Sequence, residues 1–100
     1  MIKIIKNNSD IKILGHAGYQ EYGQDIVCAS VSSIIYTTVN AIKNIDSDAI
    51  EFIDDNNLME IKVLKKDDII DKLIQNMLDL LNDLSKQYPN NISVVEKNIK

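Results

Sequence analysis

The residues able to do covalent chemistry are few and lie together. The only histidine, His16, and the only cysteine, Cys28, fall within Gly15–Ser33, which also holds all three glycines, Gly15, Gly18 and Gly23. A cysteine acts as a nucleophile through its thiolate. It needs a base or cation that favours the thiolate, access to substrate, and donors for the developing oxyanion. Cys28 falls in the first turn of a helix that Gln24 or Asp25 starts, where unpaired N–H groups and the positive end of the helix dipole favour an anion. His16 stands at the end of a strand. The residues between them form a loop long enough to bring imidazole to thiol, with backbone freedom at its glycines.

Asp25 has two competing roles. As N-cap it takes an N–H of the first turn, which can be that of Cys28 itself, and its charge opposes the thiolate. Turned to His16 instead, it holds the ring as the third member of a triad does. Ser32 lies four residues beyond Cys28, one turn on along the same face, where it can line the site. Ser30 and Ser33 are poor nucleophiles, because mid-helix hydroxyls usually bond back to the preceding turn. One His, one Cys and a carboxylate at these spacings match no zinc pattern, so no metal is expected. Gly15 and Gly18 make a G-x-x-G with no Lys-Ser/Thr after it, which is no phosphate loop. The plain alternative is that Cys28 is a small buried hydrophobe and His16 a turn residue.

Elements able to position these residues can be read around them. Residues 1–7 and 11–14 alternate in polarity about the turn formers Asn7-Asn8-Ser9-Asp10, which predicts a hairpin leading into Gly15-His16. From Asp25 to about Asn44 runs an apolar segment rich in β-branched residues, too long for a strand. Val27, Val31, Ile34, Ile35, Thr38, Ile42 and Ile45 share a helical stripe, so the spacing predicts a mostly buried helix. Ala49–Asp54 and Leu58–Leu64 predict a second hairpin, with Met59, Ile61 and Val63 alternating against Glu60 and Lys62. Asp67 or Asp68 caps a second helix, whose apolar face is Ile70, Leu73, Ile74, Met77, Leu80, Leu81, Leu84 and Tyr88. Pro89 ends it, and Ile92–Glu96 is a last strand. The order β-β-α-β-β-α-β predicts an α/β protein of the α+β type, with two helices on one face of a five-stranded mixed sheet. The second face of the sheet carries apolar residues, and cover by a second copy, a homodimer, is the expectation.

Composition narrows the partners. One hundred residues make a single domain, 1–100, with an aliphatic core, since four Tyr and one Phe are the only aromatics. Net charge is −4 and every cation is Lys. An acidic chain without Arg is a poor fit to direct nucleic-acid binding and suits a basic protein or peptide better. No run approaches a membrane span, and the N-terminus lacks the pattern of a signal peptide, so no membrane partner is expected. One cysteine cannot make an internal disulfide, and the expected compartment is the cytoplasm.

The segment G-H-A-G-Y-x-x-Y-G-x-D-I-V-C-A-x-V-S, residues 15–32, closely resembles the signature of the ribosomal-processing cysteine protease family, Prp. The length and element order suit that family. The resemblance implies a Cys–His dyad endopeptidase with Cys28 as nucleophile and His16 as base. It places Asp25 and Ser32 at further motif positions and implies no cofactor. The implied substrate is the N-terminal extension of a large-subunit ribosomal protein, number twenty-seven, cut after an aromatic residue around ribosome assembly. The family is also homodimeric by this resemblance. The competing classes are a non-catalytic ribosome-assembly or peptide-binding module, and a thiol hydrolase acting on a small molecule.

Overall fold

The computed structural model describes residues 1–15, 24–55 and 58–97, and within these the side chains of Gln24 and Asp25 are excluded. Seven elements follow one another: β1 (Ile2–Asn7), β2 (Asp10–Leu14), α1 (Gln24–Ile45), β3 (Ile50–Asp55), β4 (Leu58–Val63), α2 (Asp68–Gln87) and β5 (Ile92–Lys97). This is the expected order. The strands form one sheet in the order β3-β4-β2-β1-β5. All neighbours are antiparallel except β1 and β5, which run parallel, so the sheet is mixed.

The β1–β2 hairpin closes through Asn8 and Ser9, with Asn7 opposite Asp10. Asn8 has φ 57°, a left-handed conformation that asparagine tolerates better than most residues. The strands sort their side chains by the period of two. Ile2, Ile4, Ile11, Ile13, Met59, Ile61, Ile50 and Ile92 are buried on one face. Both helices pack there: Val27, Val31, Ile35, Val39 and Ile42 of α1 join Ile70, Ile74, Met77, Leu78 and Leu81 of α2 in one core. Burial of each such side chain is worth about 1.5–3 kcal/mol.

Three sequence expectations need correction. Leu80 was expected on the inner face of α2 but is 44% exposed, whereas Leu78 is fully buried. At 100° per residue, Leu80 lies about 60° outside the arc through Ile70, Ile74, Met77 and Leu81. Ile45, expected on the α1 stripe, is 53% exposed at the helix end, where Asp46 N–H bonds back to Ile42 O at 2.8 Å and the chain turns away. Third, α1 does contain a run of membrane-spanning length, Ile26–Ile45, with mean hydropathy 1.3. Here its buried positions recur at helical spacing and face the isoleucines of the sheet.

Asp67 caps α2, its carboxylate accepting from the N–H groups of Ile69 and Ile70 at 2.9 and 3.1 Å. Such a cap is worth about 1 kcal/mol. Asp46 ties the end of α1 to the segment after β4. It accepts from Asp48 N–H at 3.0 Å and from Lys65 Nζ at 3.0 Å. The bond from Lys65 first, then that from Asp48, holds the Asp46 carboxyl below its ordinary value of 3.8. A depressed carboxylate adds stability above its unfolded pKa and loses it as pH falls through the folded one. Asp46→Asn is therefore expected to lower the urea midpoint at pH 7, and the gap from wild type should close once the solution is acid enough to protonate Asp46.

Candidate active site

Gly15 ends β2 and turns the chain out of the sheet. Its φ is +80°, and a Cβ there would stand 2.6 Å from the carbonyl oxygen of Met1. Only glycine meets both demands, left-handed backbone and close approach to the backbone of Met1. Gly15 thus fixes where the strand stops. His16, Gly18 and Gly23 lie outside the described residues, as does the side chain of Asp25.

Cys28 is half-buried and packs against the core from the side of the α1 stripe. Helix α1 begins at Gln24, which places Asp25 inside the first turn and not before it. Cys28 is then the fifth helical residue, and its N–H falls on the regular ladder to the fourth residue before it. The helical N–H groups without a ladder partner are those of Gln24, Asp25 and Ile26. This alters the expected competition between Asp25 and the oxyanion for the N–H of Cys28, since the helix itself takes that donor. The positive end of the helix dipole still lies within about one turn of the thiol.

Ser32 is half-buried one turn beyond Cys28, as the spacing predicts. Ser30 Oγ donates to Ile26 O at 2.8 Å, the back-bonding expected of a mid-helix hydroxyl. The flank does not stop at Ser32. Each step of four residues rotates about 40° further from the buried arc. Cys28 and Ser32 are half-buried and Tyr36, four residues on again, is 37% exposed. Tyr36 stacks edge-to-face with Phe52 of β3, centroids 5.6 Å apart at 88°, and its hydroxyl donates to Asp54 Oδ2. The flank bearing Cys28 therefore faces the β3 edge of the sheet. This continuation is visible in the sequence as Cys28, Ser32 and Tyr36 at equal spacing, but the partners on β3 are not.

A cleft of about 280 Å³ lies between the β1–β2 turn and α2, lined by residues that include Lys6, Ser9, Asp71 and Gln75. It is remote from Cys28 in its lining and belongs to the other end of β2. Among the described residues no three His, Cys, Asp or Glu side chains converge as a metal site.

The described residues thus combine two helices and a five-stranded mixed sheet with a thiol near the start of the apolar helix. The chain belongs to the family of cysteine protease Prp, whose model matches residues 1–93. The ribosomal processing cysteine protease Prp of Staphylococcus aureus is 33% identical over 87 residues, covering 84% of this chain and 82% of that protein. A crystal structure of the S. aureus processing protease with a substrate peptide superposes with a TM-score of 0.85 at 29% identity, over 96% of this chain and 97% of that one. A Streptococcus mutans protein gives the same TM-score at 24% identity, over 98% and 93% of the two chains, and shares the fold. The non-catalytic alternative yields to these relatives.

Gly15→Ala tests the strand end. It is expected to cost about 1–3 kcal/mol in urea unfolding, through backbone strain and the Met1 contact. Peptide cleavage should fall at least in step with the folded fraction.

Proposed function

We propose that this protease removes the N-terminal extension of a large-subunit ribosomal protein, number twenty-seven, using Cys28 and His16 as a dyad in the cytoplasm. The observation that carries the reading is Cys28 itself: half-buried at the start of α1, on the flank facing β3, in a chain matched over nearly its whole length by a processing protease held with a substrate peptide. An extended peptide enters beside α1 with an aromatic residue before the scissile bond. His16 takes the thiol proton and the Cys28 thiolate attacks the carbonyl carbon, forming a C–S bond. As the C–N bond breaks, His16 returns the proton to the leaving amine. Water, giving its proton to His16, then attacks the thioester and releases the carboxylate, and the thiol is restored. The helical N–H groups ahead of Cys28 suit the oxyanion. Asp25, within the first turn, orients His16, and Ser32 lines the floor. The glycines of the intervening segment let it close over the bound peptide.

The decisive assay is cleavage of an internally quenched peptide spanning the extension. Cys28→Ala should leave only background, and His16→Ala should lower kcat by roughly 10²–10⁴-fold, the usual contribution of a general base. Wild-type rates in either variant would sink the dyad. Alkylation of the native protein by iodoacetamide at neutral pH should be slower in His16→Ala than in wild type.

A second copy of the chain is the partner for the uncovered sheet face. Ile5, Leu14, Ile53 and Leu58 are half-buried there and Val95 is 43% exposed, between Lys3, Lys12, Glu51, Glu60 and Lys62. Sedimentation equilibrium should return a dimer that Val95→Glu shifts towards monomer. A wild-type chain that stays monomeric at every concentration tried would count against this pairing.

A further inference from the structure

We propose that Tyr36, Phe52 and Asp54 form a subsite that takes a basic side chain of the peptide substrate, three or four residues from the scissile bond. The subsite rests on the peptidase reading above and adds a specificity element to it. Tyr36 lies eight residues beyond Cys28 on the same flank of α1, which at 1.5 Å per residue is about 12 Å along the helix. An extended peptide advances about 3.3 Å per residue, so three or four residues cover that distance.

The chemistry of the cluster suits a cation. Asp54 sits at the end of the edge strand β3, on the face the helices cover, and is exposed. One carboxylate oxygen accepts from the Tyr36 hydroxyl. Among the described residues the ion pairs are Lys62–Glu51 and Lys65–Asp46, and neither reaches Asp54. The carboxylate is thus held in place by a neutral donor and not by either of these ion pairs. The bond to Asp54, ahead of burial and the charge of that same carboxylate, pushes the Tyr36 hydroxyl above its ordinary value and keeps it a donor. Phe52 braces the Tyr36 ring edge-to-face. A lysine or arginine side chain reaching this point meets a carboxylate oxygen and an exposed aromatic ring together, pairing a charge-assisted hydrogen bond with a cation–π contact.

A purely structural role would also explain the cluster, since it pins α1 to β3. The two accounts differ in what they do to substrate choice. The experiment uses quenched peptides carrying Lys, Ala or Glu, one at a time, at the third and fourth positions on each side of the cleaved bond. Wild type should prefer Lys over Glu by about fivefold to thirtyfold in kcat/KM at one of these positions, the range of a 1–2 kcal/mol interaction. The preference should appear mainly in KM. Asp54→Asn should weaken it and Asp54→Lys should reverse it. Tyr36→Phe, which keeps the ring and loses the hydroxyl, should retain part of it.

Equal losses on the Lys, Ala and Glu peptides would leave only the structural pin and overturn the subsite. So would a wild-type enzyme that cleaves all the peptides without a charge preference. A wild type that neither binds nor cleaves any of them overturns the peptidase reading, and the subsite goes with it. Should the Asp54 variants unfold, the wild-type panel alone decides.

Discussion

The rotation of α1 is set by an aliphatic seam, in which Val27, Val31, Ile35, Val39 and Ile42 join the isoleucines of the sheet and the buried face of α2 in one core. All five of these helical side chains are β-branched and hold one preferred rotamer in a helix, so the seam has little freedom to repack. A turn of the helix by one residue, about 100°, would lift Val27 and Val31 into water at a cost of about 1.5–3 kcal/mol each. The position of Cys28 at the margin of the stripe follows from that lock. So does the path of Ser32 and Tyr36 towards β3. With one Phe and four Tyr in the chain, no large ring does this work; shape-matched aliphatic contact does.

Much of this was legible in the sequence, for identifiable reasons. The β1–β2 and β3–β4 hairpins announce themselves by strict alternation, as Met59, Ile61 and Val63 against Glu60 and Lys62. The second helix shows through its stripe and its Asp67 cap. Its exact inner arc did not, because leucines at positions 73, 78, 80, 81 and 84 offer more apolar faces than one helix can bury. Sheet order was not legible either. The parallel pairing of β5 with β1 joins residues some ninety positions apart, and no local pattern records it.

The site was readable at the level of residue types and motif. His16 and Cys28 stand out by rarity, and Ser32 by its one-turn spacing. What backbone geometry added was of a different kind. The start of α1 at Gln24 moved Cys28 onto the hydrogen-bond ladder. The close approach of Gly15 to Met1 explains a glycine that sequence alone reads only as freedom. The Tyr36–Asp54 bond joins residues eighteen positions apart and depends on the crossing of α1 over the sheet edge.

The pairing of the last strand with the first has a consequence in time. Ile2 N–H bonds to Asn91 O at 2.8 Å, and β1 aligns with β5 from Ile92 to Lys97. Met1, whose carbonyl Gly15 abuts, lies at the head of that same strand. During synthesis the β1 edge therefore stays open until β5 emerges, since the strand that closes it is the last of the seven elements to be made. Until then the strand beside Gly15 lacks its parallel neighbour, so the sheet closes only when its first and last elements meet.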